Sequence, residues 1–145
     1  MTLSGHHPAR PGARLGHEFI GIVESVGEEV TSIGVGDLVV TPFQWSDNTC
    51  PACLDGLQTS CVNGGKFGAL GTDGGQGEAV RVPEADGTLV AVAGGLAGTD
   101  ESLLTPLLEL TDVVATGFTV RSSPRSSRAP WWLSLATARL VSAWP

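Results

Sequence analysis

The feature that most constrains the fold is a glycine-punctuated apolar run over residues 15–40, LGHEFIGIVESVGEEVTSIGVGDLVV. Glycine has no Cβ, so it permits tight turns and a close approach of neighbouring strands. Ile20, Ile22 and Val26 keep the even spacing of a strand with one buried face. Gly36-Asp37 is typical of a turn that leads into the next apolar segment. The run therefore predicts short strands joined by turns.

The same pattern continues to about residue 95. Four short segments are rich in Val or Ile and lie between turn-forming residues: FIGIVESV, DLVVTPF, GEAVRVPE and GTLVAVA. Such a series predicts the strands of an all-β barrel or sandwich. We therefore expect a mainly β fold over residues 15–95.

Helical spacing replaces the strand pattern in DESLLTPLLELTDVVATGF, which begins at Asp100. Asp100 is a suitable N-terminal cap, and Pro106 is expected to break the helix because proline lacks the backbone N–H. We expect residues 100–116 to be mainly helical, as one or two helices after the strands.

Composition limits the classes of function. The 145 residues are 41% hydrophobic, which favours a folded core over disorder, and the formal net charge is -7. An acidic chain without a stripe of Lys and Arg disfavours a nucleic-acid partner. No apolar run has the length of a membrane span, and the sequence opens without a secretory leader. The expectation is a cytoplasmic protein with neither nucleic-acid nor membrane partners.

The three cysteines are clustered in DNTCPACLDGLQTSC, at Cys50, Cys53 and Cys61. An odd, clustered set of thiols in a cytoplasmic chain favours metal ligation over disulfide bonding. We expect them to lie in a loop-rich lobe over residues 46–65.

The pattern G-H-E-x-x-G-x-V-x-x-V-G-x-x-V, followed by G-D-x-V, runs from Gly16 to Val39. It resembles the zinc-dependent alcohol dehydrogenases of the medium-chain dehydrogenase/reductase superfamily. The similarity continues through the cysteine segment to ELTDVVATGF and covers roughly residues 15–118. Asp112 followed by TGF is most similar to the glutathione-independent formaldehyde dehydrogenase branch. The resemblance implies a GroES-like β-barrel with a cysteine-containing lobe.

The same resemblance implies a catalytic zinc site. His17 would bind the zinc ion, Glu18 would lie beside it as a supporting or exchangeable ligand, and Asp112 would supply a further ligand. Thr116 would lie near the nicotinamide of NAD or NADP. The implied chemistry is polarisation of an alcohol oxygen by zinc before hydride transfer, with an alcohol or aldehyde as substrate. In the alternative interpretation, His17 and Glu18 only hydrogen-bond a turn at the barrel rim.

A second, structural zinc site is implied by the cysteine segment. Relatives with this site carry a fourth cysteine where this sequence has Asp47. A carboxylate also binds zinc, so the candidate ligands are Asp47, Cys50, Cys53 and Cys61. A hard oxygen donor weakens such a site, and a metal-free lobe with three ordinary thiols is an equally open alternative.

Two departures from the family pattern bear on activity. No cysteine precedes His17, where the family has its first catalytic zinc ligand, and no G-x-G-x-x-G follows Phe118, where the family has its dinucleotide-binding domain. We therefore expect an incomplete barrel, an incomplete catalytic site, no complete Rossmann domain and no NAD or NADP binding by this chain. A dehydrogenase fragment that is inactive alone is the leading interpretation. A non-catalytic zinc-binding or interaction module and a degraded gene product are the alternatives, and a homo-oligomer is left open.

The two ends of the sequence differ in composition from the rest. Residues 1–14 are an irregular, polar lead-in whose His6 and His7 are expected to be solvated. Residues 119–145 contain no acidic residue and three of the four Trp. Read one nucleotide out of phase, codons for PWWLSLATARLV can spell MVAVVGDGAVGL, a strand that enters G-x-G-x-x-G. We interpret residues 119–145 as a frameshifted remnant of a dinucleotide-binding domain.

Overall fold

The computed structural model describes residues 11–69 and 72–122, and the chain divides into two units, residues 1–111 and 112–145. The first unit contains strands β1 (Phe19–Ile22), β2 (Leu38–Thr41), β3 (Gln44–Trp45), β4 (Gly65–Lys66) and β5 (Val90–Ala91), helices α1 (Pro51–Leu54), α2 (Ala85–Thr88) and α3 (Leu104–Glu109), and 3-10 turns at Gln58–Ser60 and Glu101–Leu103. The second unit contains helix α4 (Val113–Ser122). His6, His7 and most of the tail lie outside the described residues.

The strands form two small antiparallel sheets, with order β1-β2-β5 in one and β3-β4 in the other. All four residues of β2 are buried, because β2 is the central strand of its sheet. Val40 lies opposite Ile20 on one side and Val90 on the other. The described strands form no closed barrel, so the predicted mainly β fold with an incomplete barrel is confirmed.

The turn between β1 and β2 forms as the sequence predicts. Gly36 has φ +93°, a conformation that side chains rarely adopt. Its N–H donates to the carbonyl of Val23 at 2.9 Å, and the N–H of Val23 donates to the carbonyl of Asp37 at 2.9 Å. The Asp37 carboxylate accepts the N–H of Gly34 at 2.8 Å, which closes the turn.

Phe67 links the two sheets. Its ring is 3% exposed and meets Phe19 and Trp45 edge to face, with centroids 5.0 and 5.2 Å away. Edge-to-face contact suits the aromatic quadrupole and adds to the free energy of burial. The three rings in contact link the cysteine lobe to β1 of the three-stranded sheet. Ile33, Leu38, Val39 and Val40 are the other buried apolar residues described outside the lobe.

Two strand predictions are wrong in part. GEAVRVPE is not a strand, because no described strand lies beside it to complete a hydrogen-bonded ladder. Its side chains still alternate, with Val80 and Val82 half-buried and Ala79 and Arg81 exposed. In GTLVAVA the strand is limited to Val90–Ala91, although the N–H of Val92 still donates to the carbonyl of Leu38 at 2.8 Å. Gly87 and Thr88 belong to α2.

The predicted buried face of the first strand is also wrong in part. Ile22 and Val26 are each 42% exposed, and both line an open cleft of about 1160 Å³. β1 is an edge strand that ends at Ile22, so its pairing with β2 does not extend to Val26.

The helical segment is confirmed over residues 101–109 and from residue 113. Asp100 caps the first turn as predicted, since its carboxylate accepts the N–H of Ser102 at 2.8 Å. The predicted break at Pro106 is wrong, because Pro106 lies in the first turn of α3, where no intrahelical N–H bond is lost. Within the described ranges, no helix is both long and apolar enough to cross a bilayer.

Asp86 ties α2 to the loop that follows β1. Its carboxylate accepts five hydrogen bonds from four donors, the backbone N–H and the hydroxyl of both Thr31 and Ser32, at 2.6–3.2 Å. The Ser32 hydroxyl, then the N–H groups of Ser32 and Thr31, hold the pKa of Asp86 well below its usual range. Only the carboxylate form can accept all these donors, so this contact needs ionised Asp86.

Asp86→Asn is therefore expected to lower the midpoint of thermal unfolding at pH 7 by about 5 °C. The folded-state pKa is depressed, so the stabilisation is present above the unfolded-state pKa and is lost as the pH falls through the folded-state pKa. The difference in unfolding midpoint between the wild type and Asp86→Asn should thus narrow from pH 7 toward pH 3 in calorimetric scans. Glu29→Gln, at an exposed acid in the same loop, is the control. If the two midpoints are equal, or if their difference does not depend on pH, the Asp86 carboxylate does not stabilise the contact with Thr31 and Ser32.

Candidate metal sites

The cysteine lobe lies between β3 and β4, as predicted for residues 46–65. The indole N–H of Trp45 donates to the carbonyl of Asn63 at 3.2 Å. A Cβ at Gly65 would overlap the Trp45 ring, so glycine is needed where β4 crosses it. The two strands therefore bring the start and the end of the lobe together.

A local turn places the first candidate ligand. The Asp47 carboxylate accepts the N–H of Thr49 at 2.9 Å and that of Cys50 at 3.0 Å, which is an Asx turn. Pro51 at the first position then starts α1 and carries Cys53 into the buried interior of the lobe. These two local structures follow directly from the sequence D-N-T-C-P.

The structure brings all four predicted ligands of this lobe together. One donor atom from each of Asp47, Cys50, Cys53 and Cys61 lies within 4.8 Å of the others. The Sγ atoms of Cys50 and Cys61 are 3.9 Å apart. Tetrahedral zinc with Zn–S bonds of about 2.3 Å places two sulfurs about 3.8 Å apart. The donor set and its spacing therefore fit a zinc ion.

The electrostatics of the cluster also fit a cation. The N–H of Cys50, followed by that of Thr49, holds the pKa of Asp47 well below its usual range. The N–H groups of Cys53 and Val62 lower the pKa of Cys50. Burial, and then the neighbouring Cys50 side chain, raises the pKa of Cys53 to about 12. Three thiolates and a carboxylate cannot all be charged here without a positive ion among them.

Two features of this lobe are missing from the sequence prediction. The amide of Asn63 donates to Asp47 Oδ2 at 2.7 Å, and the N–H of Asp47 donates to Cys61 Sγ at 3.3 Å. Both contacts orient ligand atoms. The position of Asn63 two residues after the last cysteine predicts its hydrogen bond to Asp47 only weakly, because that bond forms only when the pairing of β3 with β4 brings Asn63 back to Asp47.

His17 and Glu18 lie just before β1 and are exposed. The residues before them are held by backbone pairing to a glycine-rich loop. The N–H of Gly75 donates to the carbonyl of Gly16 at 3.0 Å, and the N–H of Gln76 donates to that of Leu15 at 2.9 Å. The His17 ring lies edge-on to Phe43, with 6.4 Å between centroids. These contacts hold the backbone directly before His17 and Glu18 in place.

Asp112 and Thr116 belong to the second unit. The Thr116 hydroxyl donates to Asp112 Oδ1 at 2.7 Å, and the N–H of Thr116 donates to the carbonyl of Asp112 at 2.8 Å. The pair is therefore one helical turn, at the start of α4. Asp112 is half-buried and Thr116 is exposed. The ligand and cofactor roles of both residues, and of His17 and Glu18, stay predictions.

Known proteins match this chain over most of its length. A family model described as the alcohol dehydrogenase GroES-like domain matches residues 1–93. Zinc-type alcohol dehydrogenase B of Aspergillus flavus is 35% identical over 144 residues, 99% of this chain and 32% of that protein. A glutathione-independent formaldehyde dehydrogenase of Pseudomonas aeruginosa is 32% identical, over 79% of this chain and 30% of that protein.

A solved structure agrees with this result. The alcohol dehydrogenase TADH from Thermus sp. ATN1 has a TM-score of 0.67 at 34% identity, over 79% of this chain and 32% of that one. The fold and the cysteine lobe define a GroES-like domain, and this chain belongs to the zinc-type alcohol dehydrogenase family. The predicted resemblance, including the similarity to formaldehyde dehydrogenase, is confirmed. The chain spans about a third of the length of these relatives.

Proposed function

We propose that this chain is the GroES-like part of a zinc- and nicotinamide-dependent alcohol or aldehyde dehydrogenase, and that its cysteine lobe binds a structural zinc ion. The observation that carries the proposal is the convergence of four donor atoms within 4.8 Å. Three sulfurs and one carboxylate are a ligand set that zinc accepts. The clustered, unbonded thiols also suit a reducing cytoplasm.

The structural role follows from where the ligands lie. Cys50 is the N-cap of α1, Cys53 lies within α1, and Cys61 follows the 3-10 turn. Asp47 lies in the turn that precedes α1. A shared ion would cross-link three short local structures that otherwise bury little apolar surface. Metal binding would therefore supply much of the folding free energy of the lobe.

For the catalytic centre we propose, on the family pattern, that His17, Glu18 and Asp112 are ligands and that Thr116 lies near the nicotinamide. The imidazole would provide a neutral donor, and the carboxylates would offset the charge of the ion. The hydroxyl of Thr116 holds one oxygen of Asp112 and so restricts the rotation of that carboxylate. A zinc ion bound by these residues would polarise an alcohol oxygen and lower its pKa.

We further propose that these 145 residues alone do not catalyse turnover. Hydride transfer needs a cofactor held against the substrate, and the sequence contains no G-x-G-x-x-G motif for its pyrophosphate. The proposed domain over residues 15–118 and the frameshift origin of residues 119–145 remain proposals. Helix α4 crosses residue 119, and residues 123–145 lie outside the described ranges.

Zinc-loaded chain mixed with NAD or NADP and ethanol, a longer alcohol or formaldehyde is expected to give no change in absorbance at the nicotinamide band. The reason is that these 145 residues contain no G-x-G-x-x-G motif for the pyrophosphate, so raising the protein concentration should not help. A full-length relative assayed in parallel is the positive control. Cofactor-dependent turnover by the 145 residues would contradict the proposed inactivity.

A non-catalytic zinc module is the second candidate function. The cysteine lobe favours it, since its donor set lies within the first unit and needs no residue of the second. One zinc ion retained per chain together with no turnover supports this reading of the isolated chain. If the purified chain retains no zinc, both the proposed structural zinc site and the non-catalytic zinc module are contradicted.

A further inference from the structure

We infer that the open cleft beside β1 binds an extended peptide, which adds to the free edge of β1 and carries basic side chains that alternate with apolar ones. This binding goes beyond the proposed dehydrogenase function and does not depend on the zinc site. The cleft has a volume of about 1160 Å³ and lies within the first unit. Its lining includes β1, the loop that follows β1, and residues 77–83.

The backbone of β1 offers hydrogen-bonding groups to a further strand. β1 is an edge strand, and β2 is its partner among the described strands. Val23 bonds toward β2 with both backbone groups, since its N–H donates to the carbonyl of Asp37 and its carbonyl accepts the N–H of Gly36. Successive residues of a strand direct these groups to opposite sides, so those of Ile20 and Ile22 point away from β2. An added strand would therefore bond to Ile20 and Ile22 without breaking the pairing with β2.

A second length of chain that borders the cleft is also unpaired. Val80 and Val82 are half-buried and alternate with exposed neighbours, as the residues of a strand do. Among the residues that the structure describes, no carbonyl accepts the backbone N–H of either valine. The cleft is thus bordered by two stretches with strand-like alternation and open N–H groups. That lining suits an extended chain better than a compact small molecule.

Three residues define the side chains that the peptide directs into the cleft. Gly21 is paired with Val39, which lines the cleft, and nothing lies within 4 Å of a Cβ at Gly21. Paired residues share a face of the sheet, so this space accepts an apolar side chain. Thr41 also lines the cleft and is 1% exposed, and its hydroxyl has no hydrogen-bond partner among the described residues. A buried hydroxyl without a partner costs free energy, which one polar side chain of the peptide would recover.

The charge of the cleft selects the outward side chains of the peptide. The acids that line it and are exposed are Glu24, Glu28, Glu29, Glu78 and Glu84. Of the two lining cations, Arg81 is exposed, and Arg14 forms an ion pair with Asp73. This excess of acids attracts a basic peptide. It also disfavours a second copy of the chain, which would present the same acids.

The probe is a synthetic heptapeptide, Lys-Val-Lys-Thr-Lys-Val-Lys, blocked at both ends and labelled with a fluorophore. Its length follows from the volume of the cleft, because a strand with a rise of about 3.3 Å occupies roughly 4.8 by 10 Å in section. Fluorescence anisotropy with the full chain should give a Kd on the order of 10 µM. Amide exchange followed by NMR should show new protection at Ile20 and Ile22, with that of Val23 unchanged.

Two control peptides separate strand pairing from attraction between charges. Val-Val-Thr-Lys-Lys-Lys-Lys keeps the composition and loses the alternation, and it should bind at least tenfold more weakly. The alternating peptide with every amide N-methylated cannot form a hydrogen-bonded ladder and should not bind. These two peptides need no variant of the protein, so they test the inference even where a substitution prevents folding.

Three variants then locate the binding site. Gly21→Leu places a side chain in the open space beside Val39 and should weaken binding tenfold or more. Glu78→Gln removes one charge from the cleft and should weaken binding about two- to fivefold. Glu101→Gln changes an exposed acid outside the cleft and should have no effect. Circular dichroism and urea unfolding check that each variant folds.

Equal binding of the alternating and blocked peptides would overturn the inference, because attraction between charges alone would then explain both. Binding that a folded Gly21→Leu variant retains would also overturn it, as would no binding at roughly 1 mM peptide. A dimer in analytical ultracentrifugation that Gly21→Leu dissociates would instead assign the cleft to a second copy of the chain. Zinc per chain, measured in the same samples, tests the proposed metal site separately.

Discussion

Cys53→Ser is expected to release the zinc ion and to lower the zinc affinity of the chain by about a hundredfold or more. Cys53 is the most buried of the three thiols, at 4% exposed, and its raised pKa of about 12 reflects that burial first. The buried Cys53 thiol loses its proton only when a cation lies beside it. Replacing Cys53 therefore removes the ligand whose charge depends most on the metal ion. The measurement is zinc per chain by elemental analysis after gel filtration, followed by competition with a coloured chelator.

A pair of aspartates provides the matched control for this experiment. Asp47→Asn removes a charged ligand from the cluster, whereas Asp55→Asn makes the same change at an exposed position at the end of α1. We expect Asp47→Asn to weaken zinc binding less than Cys53→Ser, and Asp55→Asn to leave it unchanged. Equal zinc content in the wild type and in Cys53→Ser would remove the cysteine lobe from consideration as the binding site.

The cysteine lobe is the part of the chain that the sequence predicts best. Three of its candidate ligands are close in sequence, because Asp47, Cys50 and Cys53 lie on one Asx turn and one short helix. The side chain of Asp47 and the proline at the start of α1 determine the geometry of both. Only Cys61 must return from a distance, and the β3–β4 pairing brings it back. The convergence of the four donors was therefore predictable, while the supporting hydrogen bond from Asn63 was not.

The strands were less predictable for a physical reason. Val80 and Val82 show the alternation of a strand, but a ladder needs a second chain segment at hydrogen-bonding distance, and none of the described strands supplies one. Alternation reports which side chains face inward and does not report pairing. The same limit applies to Val26, whose apolar side chain faces the open cleft.

Gly74→Ala is the second large prediction, with an expected loss of about 2–4 kcal/mol in the free energy of unfolding. Gly74 is buried, and a Cβ there would overlap the carbonyl group of Leu15. Backbone atoms cannot rotate away as a side chain can, so the loop must separate from the segment that precedes His17. The N–H of Gly74 donates to the carbonyl of Arg14 at 3.1 Å, and this hydrogen bond would be lost. Urea unfolding monitored by tryptophan fluorescence measures the change.

Gly21→Ala is the matched control, because nothing lies within 4 Å of a Cβ at Gly21. It should change the stability by less than about 1 kcal/mol. Hydrogen exchange should separate the two variants further: protection of the Gly75 and Gln76 amides is lost in Gly74→Ala and kept in Gly21→Ala. If both variants unfold at the wild-type urea concentration, the glycine loop does not hold the Leu15–Gly16 backbone. The position of His17 and Glu18 would then have to depend on their own contacts alone, which is a weaker basis for a metal site at exposed residues.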